Sequence, residues 1–386
     1  MRSAASHIAS EFGPLQLLIL QATPFCNIDC KYCYLPDRQV TRRMKADVAE
    51  AAVRFVLDSG LVEDRFTVCW HAGEPLAVPI SYYRQVVNRI RDVIGSRCDV
   101  FYNVQTNGTT INQEWCDFFR EYDFQIGMSI DGPQFLHDAN RVTRNGEGTF
   151  AATMRGAELL KKNGVPFHVI AVLTRASLPH ANLLFDFFRE VGATALGYNI
   201  EEAEGVRRSS SIAKASESEY ASFLRTLSDR SRTATLPNSL YIRELATMES
   251  NIRAFGSGKG MTRGQENRPF AIMSVDYNGN ISTFSPEMLG CTGGRYNNFL
   301  FGNVLRDRLE DVVAAPPFRD ALRDINLGIE MCEQTCEYFD ICGGGAPSNK
   351  FYENGTFVST ETINCRFKIK IVADQVIHDL ERSVHS

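Results

Sequence analysis

No stretch of this 386-residue chain approaches the ~20 uninterrupted apolar residues that a membrane span requires. The opening Met1-Arg2-Ser3-Ala4-Ala5-Ser6-His7 lacks the apolar core of a secretory signal. A basic excess is missing too: 41 Lys and Arg against 46 Asp and Glu leave a net charge of −5, and with it no case for a positive face toward nucleic acid or anionic lipid. Internal repeats, heptad runs and low-complexity tracts are absent. With 44% hydrophobic and 23% charged residues, the composition excludes a disordered or collagen-like chain. The expectation is a cytoplasmic globular protein of two or three compact units, with no nucleic-acid and no membrane partner. What it has in excess for that setting is cysteine. Eleven are present, an odd number, and without a secretion signal they point to metal or catalysis before disulfides.

The cysteines cluster. Cys26, Cys30 and Cys33 form a CxxxCxxC triplet directly after the strand-like run Leu15 to Gln21. Three thiolates at this spacing can hold three irons of a 4Fe–4S cube and leave the fourth iron open to a ligand. A structural zinc would want four ligands in two pairs, and the nearest histidine, His7, lies ahead of the strand. At the other end Cys332, Cys336, Cys342 and Cys365 supply four thiolates, enough to close a cluster completely, with a four-cysteine zinc knuckle as the alternative. Gly343-Gly344-Gly345 would let the backbone wrap and aim N–H groups at sulfur. Cys69, Cys98 and Cys116 sit in apolar runs and read as inert packing, and Cys291 stands alone.

Between residues 15 and 200, β-branched or aromatic runs alternate with amphipathic stretches, the βα signature of a parallel sheet. Strands are expected at Leu15–Gln21, Phe66–His71, Val100–Gln105, Phe124–Ile130, Phe167–Leu173 and Ala195–Ile200. Helices are expected at Ala46–Leu57, Ile80–Ile94, Gln113–Glu121, Phe150–Asn163 and Ala181–Val191. Such units define an α/β fold with a partial (βα)6 TIM-like barrel over residues 15–200. The polar candidates follow the strands, where βα barrels build their active sites: the triplet, Gly73-Glu74-Pro75, Gln105-Thr106-Asn107-Gly108 and Ser129-Ile130-Asp131-Gly132-Pro133. A helical bridging region over 201–267, with helices near Glu217–Arg230 and Asn238–Phe255, precedes a small α+β Cys-rich C-terminal domain over 268–386. That domain opens on a hairpin around Asn278-Gly279 and ends in a helix near Ile369–Arg382.

These residues together resemble the radical S-adenosylmethionine enzymes, and the C-terminal cysteines resemble their SPASM extension. Trp70-His-Ala-Gly-Glu-Pro75, Ser282-Thr-Phe-Ser-Pro-Glu287, Cys342-Gly-Gly-Gly-Ala-Pro-Ser-Asn-Lys350 and Thr360-Glu-Thr-Ile-Asn-Cys365-Arg366 look like the GrrM-type maturases that form cyclophanes in ribosomally made peptides. The resemblance implies S-adenosylmethionine on a 4Fe–4S cluster held by the triplet, cleaved by one electron to a 5′-deoxyadenosyl radical. It implies Glu74 near the methionine ammonium and Gln105, Asn107, Ser129 and Asp131 near the cofactor, with Arg141 or Arg144 toward its carboxylate. Relatives with two auxiliary clusters have cysteines where this chain has Phe284-Ser285 and Ala346. One auxiliary 4Fe–4S cluster is therefore expected, on Cys332, Cys336, Cys342 and Cys365, serving as electron acceptor. Glu287, with Asp276 second, is the implied base. The implied partners are a ribosomal precursor peptide and an electron donor such as a flavodoxin or ferredoxin. Thioether formation, epimerisation and formylglycine formation are the competing chemistries. Because little chain precedes Leu15, peptide recognition is expected to fall to the main body or to another protein.

Overall fold

The computed structural model describes residues 12–207, 209–233 and 240–384. Ten strands form one sheet in the order β10-β9-β8-β1-β2-β3-β4-β5-β6-β7. The first six are β1 (Leu17–Leu20), β2 (Arg65–Trp70), β3 (Asp99–Thr106), β4 (Phe124–Ser129), β5 (Phe167–Leu173) and β6 (Ala195–Ile200). They pair in parallel and in sequence order, as a partial (βα) barrel requires. The crossovers include α1 (Ala46–Asp58), α2 (Ile80–Ile94), α3 (Gln113–Tyr122), α4 (Gln134–Asn140), α5 (Phe150–Lys162) and α6 (Ala181–Val191). Their starts follow local chemistry: the Asn112 side chain accepts the Trp115 N–H at 3.0 Å to cap α3, and Asp123 ends it in a left-handed turn.

The sheet's two faces differ. On one, Trp70 meets Tyr83 of α2 edge-on, Tyr83 meets Trp115 of α3, and Val68, Val104, Ile126 and Val169 are buried beneath the helices. The alternate residues Cys69, Asn103, Gln105, Ser129, His168, Ile170, Val172 and Asn199 are half-buried. A parallel sheet covered on both faces reads apolar throughout. The polar content of this second face marks it as the working side.

Beyond the barrel the chain continues as α7 (Glu217–Thr233), β7 (Tyr241–Ile242) and α8 (Arg243–Gly256). The helix expected from Asn238 therefore starts at Arg243, and residues 238–239 lie outside the described ones. Tyr241 and Ile242 are drawn instead onto the edge of β6, opposite Ala195 and Leu196. The hairpin of β8 (Ile272–Val275) and β9 (Asn280–Thr283) forms as expected, with Gly279 at φ +89° in its turn. Its first strand pairs in parallel with β1, Leu17 opposite Ile272, so the hairpin prolongs the barrel sheet, and β10 (Gly302–Asn303) closes that edge. The chain then forms α9 (Leu309–Ala314), α10 (Pro316–Thr335), α11 (Phe339–Cys342) and α12 (Pro347–Asn354). A π-helical turn over Cys365–Lys370 leads into α13 (Ile371–Val384), so the last helix begins two residues later than its pattern suggests. No described helix is long and apolar enough to cross a membrane.

Candidate functional site

The triplet lies on the long loop between β1 and α1, held against the strand ends by close backbone packing. Glu74 N–H donates to the Phe25 carbonyl at 2.7 Å. Gly73 has φ +95°, and a Cβ there would stand 2.1 Å from the Thr23 carbonyl oxygen, so only glycine lets the two loops touch. Glu74 is buried, and its carboxylate accepts from Leu76 N at 2.9 Å, Thr106 Oγ1 at 2.7 Å and Asn107 N at 2.9 Å. It ties the end of β3 to the cysteine loop and retains acceptor capacity chiefly on Oε2. Burial raises its carboxyl pKa, against the pull of those three donors.

Donors converge on the thiols. Asn107 Nδ2 sits 3.9 Å from Cys26 Sγ and 2.8 Å from Asn27 Oδ1. Arg141 Nη1 sits 3.9 Å from Cys30 Sγ while Nη2 pairs with Asp131 Oδ1 at 3.0 Å, both side chains buried. Tyr32, within the triplet, donates to Asp131 Oδ2 at 2.5 Å. Arg144 holds the loop from outside, donating to the Cys26 carbonyl at 2.7 Å. Gln105 Nε2 donates to Ser129 Oγ at 2.9 Å on the working face. The structure thus brings every barrel candidate to one strand-end region. Asp131 serves as the anchor of Arg141 and Tyr32, and Arg144 as a backbone clamp. Burial pushes the Cys26 thiol up to about 12, and Cys30 to about 11 against the pull of Arg141.

Asp131→Ala would leave the buried Arg141 guanidinium without its carboxylate, the kind of loss that costs about 3–5 kcal/mol. Denaturant unfolding should show a drop of that order, whereas Asp131→Asn should fall between it and the parent.

The C-terminal quartet is assembled from three helix ends. Cys332 lies near the end of α10, Cys336 just after it, Cys342 at the end of α11, and Cys365 at the start of the π-helical turn. Gly343, Gly344 and Gly345 all take positive φ, and the Gly345 and Gly344 backbone pulls the Cys342 thiol pKa down against the larger upward push of burial. Asn267 Nδ2 fixes that loop, donating to the Gly343 carbonyl at 2.9 Å and the Gly345 carbonyl at 2.5 Å. The Lys350 ammonium, on α12, lies 3.3 Å from Cys332 Sγ. Cys342 feels Cys332 and Cys336 electrostatically, and Cys365 feels Cys342 and Cys336. Yet among the described residues no three His, Cys, Asp or Glu side chains converge on a position for one metal ion. Four thiolates in one region are the right number for either a closed 4Fe–4S cluster or a tetrahedral zinc.

Between the two cysteine groups lies a set of glutamates. Glu287, in the 3-10 turn after β9, is pushed up to about 8, first by burial and then by Glu266 and Glu202. It also acts on Tyr34, the residue after Cys33. Glu204 is 1% exposed; Asn349 Nδ2 donates to its Oε1 at 2.9 Å and its Oε2 accepts no hydrogen bond. Burial, then Glu202 and Glu287, push it well up, with the Ser348 hydroxyl pulling the other way. Ser285 Oγ donates to Glu266 at 2.5 Å, and Cys291 Sγ donates to the Glu287 carbonyl at 3.1 Å. Asp276 is elsewhere: its carboxylate accepts from Asn278 N at 2.8 Å, Asn280 N at 2.9 Å and Asn280 Nδ2 at 2.7 Å, which makes it the cap of the hairpin turn. Sequence reasoning gave no role to Tyr32, Glu204 or Lys350, although Tyr32 and Lys350 lie inside the motifs it singled out. Glu204 follows β6 in an acidic run, a strand-end signal that was available; the other two are settled only by long-range packing.

With this geometry in place, comparison with known proteins is direct. Residues 20–182 match the Radical SAM superfamily. An uncharacterized protein of Synechocystis sp. PCC 6803 is 42% identical over 381 residues, covering 97% of this chain and 94% of that one. The cysteine-type anaerobic sulfatase-maturating enzyme of Clostridium novyi is 32% identical over 182 residues, 46% of this chain and 48% of the enzyme. The solved structure of native anSMEcpe with bound AdoMet and Cp18Cys peptide aligns with a TM-score of 0.77 at 22% identity, over 96% of this chain and 99% of that one. The chain belongs to the radical SAM superfamily. It is an enzyme whose cofactors are S-adenosylmethionine and 4Fe–4S clusters.

Proposed function

We propose that this enzyme matures a ribosomally made precursor peptide by forming a carbon–carbon cross-link, a cyclophane, to an aromatic side chain. The reading rests on one observation: Glu287, raised to about 8 by burial and by Glu266 and Glu202, acts on Tyr34, the residue after Cys33 of the triplet. Joining an aromatic carbon to an unactivated carbon breaks two C–H bonds and forms one C–C bond, a net loss of two hydrogens. When bound, S-adenosylmethionine on the Cys26, Cys30 and Cys33 cluster supplies the group that removes one hydrogen atom, and a cluster on Cys332, Cys336, Cys342 and Cys365 is the sink for one electron. The remaining proton leaves the ring and is accepted by Glu287, whose raised pKa matches a base working near neutrality. Gln105, Asn107 and Ser129 position the cofactor from the strand ends, and Arg141 orients the cysteine loop through Cys30. A flavodoxin- or ferredoxin-like protein supplies reducing electrons.

A second reading, oxidation of a Cys or Ser to formylglycine, draws support from the identity to the Clostridium novyi enzyme. Co-expression with the short open reading frame beside the gene separates the two. Cyclophane formation predicts a peptide lighter by two hydrogens, unreactive to a hydrazide probe and bridged in tandem mass spectra. A hydrazide-reactive product would establish the aldehyde chemistry instead, and an unchanged mass would reject both.

A further inference from the structure

We infer that Lys350 is a built-in counter-cation of the Cys332 site, holding the reduction potential of its cluster above that of the cluster on the Cys26 triplet. The inference rests on the assignment of the quartet made above. Lys350 is 4% exposed, and its Nζ lies 3.3 Å from Cys332 Sγ and 2.8 Å from the Gly328 carbonyl. Room for it comes from Gly328 on α10, where a Cβ would stand 3.3 Å from Nζ and 2.1 Å from the Phe357 carbonyl oxygen. Among the described residues no carboxylate pairs with Lys350; its partners are a carbonyl and a thiol. A buried ammonium without an anion is costly, so the packing around Lys350 is built for negative charge at Cys332.

Two other cations that act on these cysteines do so from within salt bridges. Lys370, which acts on Cys365, is in a salt bridge with Glu361. Arg141, beside Cys30, is in a salt bridge with Asp131 at 3.0 Å. At the triplet, Arg144 and Arg207 donate to the Cys26, Cys30 and Cys33 carbonyls from exposed and half-buried positions, where solvent screens them. Lys350 differs in being a buried cation beside a cysteine sulfur with no carboxylate on it. An unbalanced positive charge in a low-dielectric site favours the reduced, more negative state of a cluster, and hydrogen bonds to its sulfurs act in the same direction.

Redox titration of the anaerobically reconstituted full chain, followed by electron paramagnetic resonance, tests this with Lys350→Met and Lys350→Arg. The expected result is a more negative midpoint for the auxiliary signal in Lys350→Met, a midpoint close to the parent in Lys350→Arg, and an unmoved triplet signal in both. An unchanged auxiliary midpoint in a fully loaded Lys350→Met protein would overturn the inference. If Lys350→Met takes up only about four irons while Lys350→Arg takes up about eight, the charge itself holds the cluster and the inference stands. Should both variants lose iron, Lys350 is a packing residue and the inference fails, with the cluster assignment intact. A parent protein that binds about four irons with zinc at the quartet would overturn both.

Discussion

Replacing Cys30 with alanine is expected to reduce S-adenosylmethionine cleavage to background and to cut iron from about eight to about four per chain after anaerobic reconstitution. The loss should be all or nothing because three cysteines leave no spare ligand: with two thiolates the cube is not held, and the Arg141 donor at 3.9 Å from Cys30 has no sulfur to meet. Cys332→Ala should also lose about four irons yet keep S-adenosylmethionine cleavage, since its cluster is not the one that binds the cofactor. Cys116→Ala serves as the control. Cys116 is fully buried among the aromatic residues of α3 and should cost stability without changing iron or cleavage. Quantifying iron and 5′-deoxyadenosine for the three proteins decides the matter. Retained cleavage in Cys30→Ala, or full iron in both site variants, would refute the assignment of the two cysteine groups.

The barrel was legible because its signals are local. Each βα unit carries its own alternation and helical stripe, and Phe167–Leu173, Ala195–Ile200, Ile80–Ile94 and Ala181–Val191 form with the bounds their patterns predict. The misplaced start of α8 shows where local reading fails: Tyr241 and Ile242 have a neighbour in β6 that no local pattern reveals. The same limit applies to β8, whose partner β1 lies more than two hundred residues away. At the site, motif position told which strand ends carry Glu74, Asn107 and Asp131. It did not tell that Glu74 spends three acceptors on the fold, that Asp131 belongs to Arg141 and Tyr32, or that Asp276 caps a turn. Whether a carboxylate faces substrate or scaffold is a property of packing, and the sequence holds no local trace of it. Lys350 is the sharpest case: it closes the Cys342–Lys350 run that carries the resemblance, yet nothing local shows that it lies buried against a cysteine eighteen residues before it.

Glu287→Gln is expected to lower formation of cross-linked peptide by about 10²- to 10⁴-fold, the range for loss of a positioned acid or base. Cleavage of S-adenosylmethionine should continue, because Glu287 accepts its proton after the hydrogen atom has been removed. The parent's pH profile should carry the same signature. Glu287 is raised to about 8 by burial and by its neighbours Glu266 and Glu202. It is thus mostly protonated at neutral pH, and the ionised fraction rises about tenfold per pH unit until it levels above that pKa. Product formation should climb with pH in parallel, and S-adenosylmethionine cleavage should not. Stability should move the other way. A carboxyl that binds its proton more tightly folded than unfolded contributes stability below its unfolded pKa of about 4.3, and that contribution is lost as pH rises toward 8. Asp276→Asn, in the hairpin turn, should leave product formation and its pH dependence unchanged. A Glu287→Gln enzyme with parental product formation, or a pH-independent parent between 6 and 9, would remove Glu287 from the reaction and leave Glu204, whose Oε2 has no hydrogen-bond partner, as the carboxylate to test next.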